Sequence, residues 1–155
     1  LYSWQASARY GFVKKTKLLN HSGKKLNIKL IDGLRNILPA GVSLRTQQEM
    51  SNLANAYKVS ECNSDDNYAL YYMNALLMDK PDPGESLFSN IVWSHSSENI
   101  ELSVNEKSIS TFLSNDEFLS NNGCTSRVRS ALRAGAARSA AVGFFAIKAC
   151  QSSGL

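Results

Sequence analysis

The chain has 155 residues, of which 43% are apolar and 19% charged, with a formal net charge of +4. That length suits one domain with a proper core and is too short to assume two, and the composition is ordinary for a globular protein. No apolar run approaches the roughly eighteen residues that a membrane helix needs, so no membrane segment is expected.

The charge falls in blocks. Residues 1–58 carry ten Lys/Arg against Asp32 and Glu49, residues 59–117 carry Lys80 and Lys107 against eleven acids, and residues 118–155 carry five cations and no acid. Blocks of opposite sign are expected to complement one another within one fold. An exposed basic tail for an acidic partner is the alternative. The opening, Leu1-Tyr2-Ser3-Trp4-Gln5, shows no basic leader with an apolar core. It also lacks an initiator Met, which fits a fragment or a processed product. Cys62, Cys124 and Cys150 have no metal-ligand spacing. Free thiols in a reducing setting are favoured over one disulfide plus a free thiol.

In chain order, residues 8–19 read as a strand with a basic solvent face. Asn20-His21-Ser22-Gly23 reads as a turn. Residues 24–31 alternate, with Leu26, Ile28 and Leu30 inward, and the two runs together predict an antiparallel hairpin. The stretch from Asp32 to Val42 then reads as an ordered loop. Gly33 supplies backbone freedom, Pro39 keeps Leu38 out of helical geometry, and Leu34, Ile37 and Leu38 pack down. Arg35 and Asn36 project from this loop as candidate ligand-binding residues. The competing reading has them holding the loop's shape through its carbonyls.

Residues 44–58 predict a helix, with Thr46-Gln47-Gln48-Glu49 as a capping box and Met50, Leu53, Ala54 and Tyr57 as a core stripe. Residues 60–67 read as an acidic loop. Its Asp65 and Asp66 lack the alternating ligands of a calcium loop. Residues 68–78 fit either a helix or a strand buried on both faces, and the prolines of Asp79–Glu85 end the run. Residues 87–94 and 100–104 read as strands. Trp93 and His95 are candidate ligand residues, a stacking surface and a proton donor for a sugar; a buried Trp with an exposed loop His is the plainer account. Residues 109–119 form a short amphipathic piece around Phe112, Leu113 and Phe118. The tail over 120–155 is basic and Ala/Arg-rich. It has a helical face through Val128, Ala131 and Leu132, and Phe144-Phe145-Ala146-Ile147 suggests a terminal strand. As a nucleic-acid binder this tail lacks interleaved aromatics and any known motif.

No phosphate-binding glycine loop, zinc-spaced cluster or nucleophile elbow is present. His21 and His95 have no triad partners in view, and Glu98 with Glu101 fits surface acids better than a glycosidase dyad. No catalytic residue, metal ligand or cofactor is therefore assigned.

Four stretches resemble a bacterial family of large carbohydrate-active proteins of the cellobiose-phosphorylase-like kind. They are Gly11-Phe12-Val13 with the run to Leu30, Asp32-Gly33-Leu34-Arg35-Asn36-Ile37-Leu38-Pro39, Asn52-Leu53-Ala54-Asn55-Ala56-Tyr57-Lys58, and Pro83-Gly84-Glu85-Ser86 leading to Val92-Trp93-Ser94. The likeness spans about residues 8–95. It implies the β-supersandwich that precedes a helical catalytic toroid, and it prefers strand over helix for 68–78. Nothing in the chain is similar to the toroid that carries the catalytic acids, and the Ala/Arg-rich tail departs from the family's pattern.

The expected fold is mainly β: an antiparallel, supersandwich-like β-sandwich over 1–155, whole or in part, with one or two helices, one of them near 44–58. The expected role is a non-catalytic accessory domain of a glycan-processing protein. Its partners would be a catalytic domain of the same parent protein or a second copy in a homo-oligomer, with carbohydrate as a candidate ligand and nucleic acid not expected. A secreted or pilus-associated interaction module is the alternative, and a small enzyme with an unrecognised site the third reading. A soluble chain is expected, with the cytoplasm ahead of secretion.

Overall fold

The computed structural model describes residues 1–63, 65–77, 87–97, 100–104 and 107–115, together with the backbone of 128–129 and 141–151. Strands dominate: β1 (Tyr2–Ser7), β2 (Gly11–Thr16), β3 (Asn27–Ile37), β4 (Lys58–Asn63), β5 (Tyr68–Met73), β6 (Ser89–Trp93), β7 (Ile100–Ser103), β8 (Val128–Arg129) and β9 (Ala141–Gln151). Three short helices accompany them among the described residues: α1 (Leu44–Glu49), α2 (Ser51–Tyr57) and α3 (Lys107–Asn115). The expectation of a mainly β chain holds at this level. The chain divides into two compact units, Leu1–Ile28 with the residues from Cys150 onward, and Lys29–Ala149.

In the first unit β1 and β2 form an antiparallel ribbon running from the Tyr2–Thr16 pair to the Ser7–Gly11 pair. Ser7 Oγ accepts from the backbone N–H groups of Arg9 (3.3 Å) and Tyr10 (3.2 Å), and Gly11 takes φ +68°. This corrects the expected hairpin between 8–19 and 24–31. The hydroxyl-stabilised turn at Ser7–Gly11 closes strand 11–16 onto the residues just before it, and a short loop costs less entropy to close than the longer one downstream. The turn at Asn20–Gly23 exists as read, with Asn20 Oδ1 accepting from the Ser22 N–H at 3.0 Å, but it joins no hairpin.

In the second unit one sheet has the order β3-β9-β7 and another the order β6-β5-β4-β8. The alternation of Ile28 and Leu30 against Asn27 and Lys29 is as read, but Leu26, also expected inward, lies before the strand and is exposed. The strand does not stop at Asp32, however: β3 runs through Gly33 to Ile37, where a loop was expected. Asp32 Oδ1 accepts from the Gly33 N–H at 2.8 Å. The residue with left-handed backbone here is Asn36, at φ 61°, a conformation asparagine tolerates better than most side chains, and not Gly33.

The expected helix over 44–58 is two helices, broken at Met50 (φ −126°, ψ 38°). Ser43, not Thr46, caps the first, its Oγ accepting from the Thr46 N–H at 3.0 Å. The break shifts the helical phase, so the expected core stripe is largely uncovered. Met50, Leu53 and Tyr57 are exposed and only Ala54 is buried, while Gln47 and Lys58 turn inward.

Residues 60–63, read as loop, belong to β4, and the turn to β5 is confined to the few residues after Asn63. Asn63 Oδ1 accepts from the backbone N–H groups of Asp65 (2.9 Å) and Asp66 (3.2 Å). The helix-or-strand ambiguity resolves as strand over Tyr68–Met73. Ala69, Tyr71 and Met73 are buried while Tyr68, Leu70 and Tyr72 are half-buried, a period of two. The strands read at 87–94 and 100–104 are β6 and β7, and the expected terminal strand lies in β9. Val128, placed on a helical face by the sequence, pairs instead with Ser60 as part of β8. The Asp79–Glu85 terminator, Glu98, Phe118, Cys124 and the rest of the arginine-rich segment lie outside the described residues.

The core forms on one face of the β4–β5 pair. Cys62, Ala69 and Tyr71 cluster with Val104, and Ile37 and Val92 pack against them. Burial of a side chain of this size contributes roughly 1.5–3 kcal/mol, so this contact joins residues distant in sequence with a gain that local structure alone does not supply. Ser103 Oγ and Ser108 Oγ, both buried, lie 2.6 Å apart and tie β7 to α3.

Candidate functional site

Strand pairing sorts the β4–β5–β6 side chains onto two faces. Cys62, Ala69, Tyr71 and Val92 share the core face. Opposite them, Asn63 and Trp93 flank Tyr68, Glu61 and Ile91 flank Leu70, and Val59 and Ser89 flank Tyr72. This second face is partly open: Trp93 keeps 42% of its surface exposed and Ile91 57%, with Tyr68, Leu70 and Tyr72 half-buried. It closes toward Val59, which is buried.

Polar groups are fixed among these rings. The Tyr72 hydroxyl donates to Glu61 Oε1 at 2.7 Å, and Asn63 Nδ2 donates to the Tyr68 hydroxyl at 3.5 Å and to Asp66 Oδ2 at 3.1 Å. The result is a strip of flat aromatic and aliphatic surface with a carboxylate, an amide and two phenols placed along it. A surface of that kind suits a ligand with apolar flat faces and hydroxyl edges: the rings take the faces, and Glu61 and Asn63 take the edges.

Of the residues singled out by sequence, Trp93 lies on this strip, opposite Tyr68. It is exposed where the plainer account had it buried. His95 is exposed and follows β6 by two residues, and the Ser94 N–H donates to the Asn67 carbonyl at 2.8 Å, which fixes this end beside the β4–β5 turn. Arg35 and Asn36 are both exposed near the end of β3. Two residues further on, the Leu38 carbonyl accepts from Asn90 Nδ2 at 2.7 Å. Asn90 is three residues before Trp93, about 10 Å along a strand, so this link meets β6 nearer its start.

Sequence reading missed Glu61, Asn63, Tyr68 and Tyr72 as a group. The signal was available in the period-two pattern of Tyr68–Met73. Reading 60–67 as loop hid the register that sets Glu61 and Asn63 beside the tyrosines.

A second polar cluster lies inside. Lys58 Nζ donates to Asn55 Oδ1 at 2.9 Å and to Gln47 Oε1, and Gln47 Nε2 reaches Asn55 Oδ1 at 3.5 Å. Lys58 and Gln47 are both buried, and burial lowers the lysine pKa from 10.5 to about 8. Two neutral amides compensate the ammonium only in part. Beside this cluster an open cleft of about 240 Å³ is lined chiefly by Gly41, Val42, Met73, Leu76 and Leu77, with Thr46 as the one hydroxyl. It has no titratable lining residue, and it carries less chemistry than the aromatic strip.

Cys62 is a buried cysteine within the core cluster. Among the described residues no group of three or more His, Cys, Asp or Glu side chains gathers to hold a metal, and no helix is long and apolar enough to cross a membrane. A comparison with protein-family models finds no match for the chain, and a comparison with curated proteins finds none either.

Proposed function

We propose that this chain is a non-catalytic accessory domain of a glycan-processing protein, a β-sandwich of the supersandwich kind that presents an aromatic strip to carbohydrate and packs against a catalytic domain. The observation that carries the reading is the half-open face of β4–β5–β6, where Trp93, Tyr68 and Tyr72 flank Glu61 and Asn63. Sugar rings offer apolar C–H faces to such rings and hydroxyls to the carboxylate and amide. Packing against a partner domain is supported by the edge of β6, the outermost strand of its sheet among the described residues, with Ile91 and Trp93 exposed on it and Leu87 and Phe88 exposed just before it. An edge of that kind is a template for pairing with another chain. The resemblance over residues 8–95 supports the parent context.

Affinity electrophoresis through gels holding neutral polysaccharides tests this. The wild-type chain is expected to be retarded by at least one of them, and Trp93→Ala to run freely. Unretarded migration of a folded wild-type chain in every gel, or hydrolysis or phosphorolysis of a glycoside by the chain alone, would overturn the reading.

A further inference from the structure

The β1–β2 ribbon carries a second aromatic face. Strand pairing places Tyr2, Trp4 and Ala6 on the same side as Thr16, Lys14 and Phe12, with Lys14 directly opposite Trp4. Tyr2 is 70% exposed, Trp4 53% and Phe12 82%. Three large rings left in water on one side of a two-stranded ribbon form an uncovered patch of the kind that marks a binding surface. Tyr10 is not counted with them: the Arg9 guanidinium lies over its ring at 5.3 Å.

The charge along this segment of the chain is of one sign. Residues 1–28 hold Arg9, Lys14, Lys15, Lys17, Lys24 and Lys25 and no Asp or Glu. The face itself is sparsely charged, with Lys14 the one cation among three rings. A nucleic-acid strand carries an anion on every unit and favours cations along the whole stacking track. One ammonium among three rings matches instead a polymer whose flat units are charged only in part.

We propose that the Tyr2, Trp4, Phe12 and Lys14 face binds an acidic polysaccharide, a chain of sugars some of which bear a carboxylate or sulfate. This rests on the carbohydrate reading above but assigns a different surface and a charged ligand class. The rings stack on sugar faces, Lys14 pairs with a uronate or sulfate, and the segment's other cations draw the polyanion in from solution.

The test titrates the full chain with a partly methyl-esterified polygalacturonate, in which only some of the sugars keep a free carboxylate, a neutral polysaccharide, a single-stranded oligonucleotide and anionic phospholipid vesicles. The polygalacturonate is expected to bind tightest, and more weakly as salt rises. Trp4→Ala should weaken it roughly 5–10-fold, and Lys14→Gln roughly 3-fold at low salt with a flatter salt dependence. Because these side chains are outside the core, both variants should keep the wild-type far-UV spectrum. Trp93→Ala should leave polygalacturonate binding unchanged while removing retention in neutral gels, so failure of one surface is distinguishable from failure of the other. Tighter binding of the oligonucleotide or the vesicles, binding indifferent to both Trp4→Ala and Lys14→Gln, or no polygalacturonate binding at all would overturn the inference.

Discussion

Strands β1 and β5 are each six residues long, and each carries aromatic side chains, yet their fates differ. Tyr71 in β5 has no exposed surface, whereas Trp4 in β1 keeps 53%. Alternation therefore defines two faces of a strand without saying which will be covered. In β5 the cover comes from Val104 and Ile37, residues that lie respectively after β7 and at the end of β3. The β1–β2 ribbon has no comparable buried cluster among the described residues. Stability should accordingly be concentrated on the covered face of β4–β5, and recognition on the open ones.

The sharpest way to break this contrast is to remove a ring from each region. Tyr71→Ala should cost about 3–5 kcal/mol by urea denaturation, the range for a large buried side chain. Trp4→Ala should fall within about 0.5 kcal/mol of wild type, as surface changes usually do. Equal losses would erase the distinction.

Lys58 gives the next largest effect. Lys58→Ala removes a cation that Gln47 and Asn55 help to hold, and leaving those amides short of a partner should cost about 1–3 kcal/mol. The pH dependence has a definite sign. With a folded pKa near 8 against 10.5 in the open chain, the unfolded state binds more protons between those values. Wild-type stability should therefore gain from this group as pH rises from about 8 to 10.5, and be insensitive to it well below 8. Denaturation midpoints across that range should lose this rise in Lys58→Met.

Two smaller effects refine the picture. Among the described residues the buried Tyr71 hydroxyl has no hydrogen-bond partner, and burial together with the neighbouring Cys62 thiol pushes its pKa far above the usual phenol value. Tyr71→Phe should therefore match or exceed wild-type stability, by up to about 1 kcal/mol. Ser43→Ala removes the cap of α1 and should cost about 1 kcal/mol. Thr46→Val leaves the Thr46 N–H bond to Ser43 in place and should cost less, reversing the order that a cap at Thr46 would give.

Much of the local pattern was legible in the sequence. The alternation through Ile28 and Leu30, the turn at Asn20–Gly23, the strands at Ser89–Trp93 and Ile100–Ser103 and the terminal strand all follow from period and turn chemistry. Partner choice was not. Residues 11–16 alternate equally well against either neighbour, and the Ser7 hydroxyl that decides the matter is one residue in a stretch read as leading into a strand. The helix over 44–58 failed in phase rather than in kind, because a break at Met50 rotates a stripe that continuous periodicity would have buried. Trp93 was singled out because a tryptophan two residues from a histidine attracts notice. Glu61 and Asn63 were not, since only the register of the paired strands brings them onto the same face as Trp93.

On the proposed function, an uncovered aromatic face recognises carbohydrate while the covered face holds the fold. The most direct measurement is the fluorescence of the Trp4→Phe variant, in which Trp93 is the only tryptophan left, titrated with neutral oligosaccharides. A saturable change in Trp93 emission, abolished by Tyr68→Ala and weakened by Glu61→Gln at unchanged urea midpoint, is the predicted result. A folded variant whose emission does not respond to any of them, or whose response survives Tyr68→Ala, would contradict it.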